Sequence, residues 1–140
     1  MILVPADSDS FERYYLDRPE KHSSLPFPLE MEVLNREELQ IIPDDPWIAC
    51  LDLDEIQFPL TVRHWMHGDY FFPLGMDQNK KLSDFFVDEK VPVPEKEQIW
   101  IMASGKKIVW IMGHRIDNRF RITPSTSRVL MLRIQAEITP

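Results

Sequence analysis

Residues 99–113 constrain the fold more than any other stretch of this chain. Ile99-Trp100-Ile101-Met102 and Ile108-Val109-Trp110-Ile111-Met112 flank Ser104-Gly105-Lys106, the pattern of two strands joined by a tight turn. A strand with one wet face alternates apolar and polar residues. These two are apolar at consecutive positions, so each needs cover on both faces. The hairpin therefore belongs in the middle of a covered sheet, and the rest of the chain must supply the covering layers.

Other segments read as the neighbours of that hairpin. Leu29 to Val33 alternates acid and apolar residues, which suits an edge strand. Trp47 to Leu53 predicts a strand with Ile48, Cys50 and Leu51 inside and Asp52 and Asp54 outside. Leu60 to Met66 alternates again, with Thr61, Arg63 and Trp65 on one face and Leu60, Val62, His64 and Met66 on the other. Val129 to Ile134 is a last strand. Leu82, Phe85 and Phe86 fall at helical spacing, with Ser83 as the expected N-cap and Asp84 and Asp88 on another face. Short helices are also expected at residues 10–17, capped by Ser10, and from Thr123-Pro124. Arg18 to Ser24 reads as loop, Asp44-Asp45-Pro46 as a turn and Pro92-Val93-Pro94 as an extended connector. Strands dominate, so the expected class is a β-rich α+β fold.

Composition narrows the function classes. A chain of 140 residues with 44% hydrophobic residues can bury one normal core. The single cysteine, Cys50, excludes an internal disulfide and a cysteine-based zinc site, and points to a reducing compartment, most simply the cytoplasm. No apolar run approaches the roughly 18 residues of a membrane span, and no secretory leader is expected from the first residues. Neither GxxxxGK[ST] nor GxGxxG occurs, and with 4 glycines a phosphate-cradling loop is not expected.

The net charge of −7 argues against a nucleic-acid partner, yet it averages two opposite halves. Residues 1–57 carry 14 Asp/Glu against 4 Lys/Arg, a balance of −10, and residues 58–140 carry 9 against 12, a balance of +3. Between 100 and 133 seven cations stand against Asp117 alone. Lys80 and Lys81 precede the helix near Ser83, where positive charge opposes the helix dipole, so an external anion would account for them. Arg119 and Arg121 share a face if extended, and Arg115 and Arg128 lie nearby in sequence; such a set can follow a sugar-phosphate backbone. A solvated charged surface is the simpler account on composition alone.

No other chemistry assembles. His64, His67 and Asp69 have a metal-like spacing, but on a strand 64 and 67 point to opposite faces, so turn and surface residues around Gly68 are expected. His114 reads as a stacking group for a base or ribose, or as a partly buried structural histidine. Asp44, Asp45, Asp52, Asp54 and Glu55 could gather around Mg²⁺, though outward strand acids and a turn are simpler. Cys50 reads as an inert core thiol, and no serine sits in a nucleophile elbow.

Beyond pattern, Gly68-Asp69-Tyr70-Phe71-Phe72-Pro73-Leu74-Gly75-Met76 followed by Lys80-Lys81-Leu82-Ser83-Asp84-Phe85-Phe86 resembles the C-terminal domain of tRNA(Ile)-lysidine synthetase. The downstream order matches as well: Val91-Pro92, Ile108 to Asp117, and Arg119-Phe120-Arg121-Ile122-Thr123. The resemblance covers roughly residues 47–134. It implies a single domain over 1–140, with 1–46 a lead-in segment and edge strand and 47–136 the core. It implies a partly open barrel or sandwich with a few short helices, similar to a tRNA-synthetase editing-type domain. The family is bacterial and cytoplasmic, and uses ATP and Mg²⁺ to join lysine to the wobble cytidine of the CAU-anticodon isoleucine tRNA. That chemistry belongs to an N-terminal catalytic domain whose Ser-Gly-Gly-x-Asp-Ser loop is absent here, so no cofactor and no catalytic residue is expected in this chain. The implied partners are the tRNA acceptor stem and that catalytic domain. The implied tRNA-facing residues are Lys80, Lys81, Ser83, His114, Arg115, Arg119, Arg121 and Arg128, with Asn118 and Thr123 as further hydrogen-bonding groups. Asp77-Gln78 departs from a more basic approach to Lys80 and weakens the local field. The other class of function is a β-rich protein-interaction module without RNA affinity, binding through its acidic face.

Overall fold

The computed structural model describes residues 12–18 and 25–135. Two antiparallel sheets carry the fold. The first has five strands in the order β1 (Arg13–Leu16), β4 (Leu60–His64), β7 (Trp100–Ser104), β8 (Lys107–Ile111) and β9 (Arg115–Ile116). The second has three, in the order β2 (Leu29–Asn35), β10 (Arg128–Ile134) and β3 (Ile48–Asp52). A two-stranded ribbon, β5 (Tyr70–Phe71) with β6 (Lys80–Lys81), leads into helix α1 (Leu82–Asp88); a short helix α2 (Val93–Lys96) follows.

The expected hairpin is β7–β8, and both of its faces are covered. Met102, Val109 and Trp110 pack with Leu51, Leu130 and Leu132 of the second sheet. Ile101, Ala103, Ile108 and Ile111 pack on the opposite side with Leu82, Phe85 and Phe86 of α1 and with Phe71 of β5. Val109 and Trp110 share one layer although adjacent in sequence, because the register shifts at Met102/Ala103 and a bulge places two residues opposite one. The molecule is thus three layers deep at the hairpin: sheet, sheet and helix. Each fully buried leucine or phenylalanine contributes about 1.5–3 kcal/mol of burial, which is what draws the short α1 onto the sheet.

Four local expectations are corrected. Residues 13–16 form a strand on the edge of β4, where Leu16 is buried and the β-favouring Tyr14 and Tyr15 suit a pleated surface; Ser10 lies outside the described residues. Pro92-Val93-Pro94 is not an extended connector: Pro92 caps α2 with its fixed φ, and Val93 and Pro94 form the first turn, where no amide proton is needed. Thr123-Pro124 opens no helix, because Thr126 Oγ1 accepts from the Thr123 amide and closes a turn before β10. Asp52 is buried, not outward-facing; its carboxylate accepts from the Asp54 amide and from Thr126 Oγ1. That pair of bonds offsets the cost of burying it.

Candidate nucleic-acid interface

The two segments singled out as basic, 80–81 and 114–121, are distant in sequence and joined in space through residues 69–76. Tyr70 pairs with Lys81 and Phe71 with Lys80. Immediately after this pair, the Asn118 amide donates to the Phe72 carbonyl (2.6 Å) and Pro73 bridges to Asp117. The Leu74 amide then donates to the Ile116 carbonyl (3.2 Å), and the Gly75 amide to Asn118 Oδ1 (3.0 Å). Gly75 has φ +91°, a left-handed turn that glycine adopts without a Cβ penalty.

Asp117 holds this junction. Its side chain is fully buried and accepts four bonds: the Phe72 amide at 2.9 Å, and the amide, Nε and Nη2 of Arg119 at 2.8–3.0 Å. Arg119 is therefore folded back by a 3-10 turn, Asn118–Phe120, with its guanidinium 4.4 Å from the centre of the Phe72 ring. The expected extended pair of Arg119 and Arg121 on one face does not form. Arg119 is engaged internally and keeps only Nη1 uncommitted, whereas Arg121 is exposed and uses its Nη1 on the Asn118 carbonyl.

The remaining candidates divide in the same way. Lys80 pairs with Asp88 at the far end of α1, and Arg115 with Glu89 at 3.7 Å while its guanidinium lies 5.4 Å from the Phe85 ring centre. Lys81 is exposed and has no carboxylate partner among the described residues. Ser83 is not the helix cap; Lys81 occupies that position, and the Leu82 amide is taken by the Asp69 carbonyl. The helix start therefore offers less to an anion than the sequence pattern suggests. His114 is half-buried, edge-on to Phe85 and Phe86, and lines a groove with Trp47 and Trp100. Burial lowers its pKa, opposed by Glu95 and Glu89. Arg128 is not brought into this group: it starts β10 in the second sheet and lies 4.0 Å from Asp54. Asn118 and Thr123 are both engaged within the fold.

Elsewhere, His64 stacks on Trp100 with ring centres 3.7 Å apart, and Asp69 binds Arg63 through two bonds while accepting the Met66 amide. No three His, Cys, Asp or Glu side chains among the described residues group as a metal centre. Burial pushes the Cys50 thiol up to about 11, with Arg133 opposing the shift, consistent with a packed and unreactive side chain. Sequence reasoning missed three exposed residues inside the basic rim: Tyr70, Leu74 and Met76. Their signal was faint. In the sequence Tyr70-Phe71-Phe72 is one aromatic run, and the exposure of Tyr70 beside the buried Phe71 is visible only in the fold.

Residues 60–134 match the model of the TilS substrate C-terminal domain. A tRNA(Ile)-lysidine synthase from Parabacteroides distasonis is 55% identical over 85 residues, which is 61% of this chain and 19% of that protein. One from Bacteroides thetaiotaomicron is 39% identical over 117 residues, 84% of this chain and 28% of that protein. The chain thus spans about a fifth to just over a quarter of the length of these curated relatives. A crystal structure of a TilS C-terminal domain superposes with a TM-score of 0.72 at 21% identity, covering 91% of this chain and all of that one. An N-terminal fragment of the phenylalanyl-tRNA synthetase β-subunit from Pyrococcus horikoshii superposes with a TM-score of 0.55 at 15% identity, covering 65% of this chain and 28% of that one. These two likenesses concern the fold: a β-rich sandwich with few helices, as expected. With more than half of its residues under the family model, the chain belongs to the TilS C-terminal domain family.

Proposed function

We propose that this chain is the part of a tRNA(Ile)-lysidine synthase that grips the acceptor stem of its tRNA. The enzyme would be a cytoplasmic ligase that uses ATP and Mg²⁺ to attach lysine to the wobble cytidine of the CAU-anticodon isoleucine tRNA. ATP and Mg²⁺ would be held by its catalytic domain; neither GxxxxGK[ST] nor GxGxxG occurs in this sequence, and no metal-ligating side chains group among the described residues. The single observation that carries the reading is the backbone ladder that ties the 80–81 segment to the 115–121 segment through residues 70–75. Cations from two distant stretches then flank one continuous surface, as phosphate contacts along an RNA backbone require.

In this reading Lys81 and Arg121 make the primary phosphate contacts. Lys80 and Arg115 join them by exchanging the partly exposed Asp88 and Glu89 for phosphate oxygens. Arg119 contributes through Nη1 while Asp117 keeps its plane in place. Ser83 and His114 stand at the margin of the surface, and Arg128 would touch RNA only if the contact extended to the second sheet. The acidic first third faces away from RNA or toward the catalytic domain.

Filter binding of the isoleucine tRNA at two salt concentrations tests this. Binding that weakens steeply with salt, and whose slope falls when Lys81 is replaced by Ala, is the expected result. No retention at low salt would overturn it and favour a protein-interaction module.

A further inference from the structure

Among the exposed side chains of the basic rim, Tyr70 has no evident structural task. It is 50% exposed, its ring meets no other ring and its hydroxyl finds no hydrogen-bond partner among the described residues. Yet its backbone is held firmly. The next residue, Phe71, is fully buried, edge-on to Phe85 with ring centres 5.1 Å apart, and the Asp69 carbonyl accepts the Leu82 amide across the ribbon. Tyr70 lies directly opposite Lys81 in an antiparallel pair, so the two side chains leave the same face. Beyond it, Leu74 and Met76 are 45% and 42% exposed on a turn pinned by Asn118 and by the Pro73 carbonyl. An exposed aromatic ring on a fixed backbone thus stands opposite a cation that has no carboxylate partner among the described residues.

We infer that Tyr70 is a stacking platform for one unpaired base of the bound RNA, with Lys81 taking the adjacent phosphate. This rests on the RNA-binding reading above and goes beyond it by naming the kind of nucleotide. A continuous duplex hides its base faces inside the stack and offers only phosphate, ribose and groove edges. An unpaired nucleotide offers a π-face together with its own phosphate. Neighbouring strands lie about 4.8 Å apart, close enough for one nucleotide to reach both side chains. The tyrosine ring supplies stacking area without preference for one base, as single-strand binders do.

The test uses the 140-residue chain with two RNA hairpins of identical stem, one blunt and one carrying a short single-stranded 3′ end. Fluorescence anisotropy at low salt gives Kd for the wild type, Tyr70→Phe and Tyr70→Ala. The expected result is tighter binding of the RNA with the single-stranded end. Tyr70→Ala should weaken that complex on the order of ten-fold while leaving the blunt complex unchanged, and Tyr70→Phe should retain the wild-type value. Because Tyr70 is half-exposed, both variants should keep the wild-type melting temperature, which a thermal scan verifies. Equal losses on both RNAs, or no loss on either, overturn the stacking role and leave the phosphate-binding reading intact. If the wild type binds neither RNA, both readings fall.

Discussion

Arg119 and Lys81 carry the same charge on adjoining segments and use it in opposite ways. Arg119 turns inward onto Asp117, which has no exposed surface, and so neutralises a carboxylate that three of its own bonds hold. Lys81 points outward with no acid in reach among the described residues. The difference teaches that counting cations overstates the field a ligand meets. Part of the positive charge between residues 100 and 133 builds the surface, and another part faces whatever binds it. The inward-turned pair sets the shape of the rim, and the lysine without a carboxylate partner among the described residues supplies attraction at longer range.

The comparison is broken most directly at Arg119. Replacing it with Ala removes two of the four bonds to the buried Asp117 carboxylate and leaves the Phe72 and residue-119 amides on it, and should lower the unfolding free energy in urea by about 2 kcal/mol. A loss below about 0.5 kcal/mol would mean that the guanidinium adds nothing to the hold that the Phe72 and residue-119 amides already have on Asp117. Lys81→Ala should do the reverse. Stability stays within about 0.5 kcal/mol of wild type. The slope of log affinity for tRNA against log salt should fall by about one phosphate contact, which a titration across salt concentrations reads directly.

His114 tests the boundary between the two behaviours by pH. Burial holds its folded pKa below the ordinary value, so near pH 6.5 the unfolded chain takes up a proton that the folded chain resists. Stability should be complete above that pH and decline as pH falls through it toward the folded value. Urea midpoints from pH 7.5 down to 5 should show the decline, and His114→Gln should flatten it. The smallest effect belongs to Lys80. Its partner Asp88 is more than half exposed, so Lys80→Ala should cost well under about 1 kcal/mol. Its tRNA salt slope should drop by less than that of Lys81→Ala, because Asp88 already screens Lys80.

The fold was largely legible from local pattern. Consecutive apolar residues in β7 and β8 required cover on both faces, and the Leu82, Phe85, Phe86 stripe identified the helix that covers one of them. Reading failed where a short segment takes its conformation from a neighbour: residues 13–16 are a strand because β4 has an open edge, and Asp52 is buried because Thr126 arrives from 74 positions away. For the candidate interface, the basic stretches were visible, but their division into internal and outward charges was not. Asp117 looked like a lone acid among cations, and nothing local marks it as fully buried.

What the sequence determined by itself is the layered β-rich architecture, because hydrophobic periodicity acts over a few residues and is written into them. It also located the stretches that hold the basic residues. Only the tertiary structure decided which cations are free, which side chain opposes Lys81, and that Arg128 stands apart on the second sheet. Those outcomes depend on pairings between segments far apart in the chain. Register across a ribbon and burial of a carboxylate are properties of two partners at once, and neither partner's sequence encodes them alone.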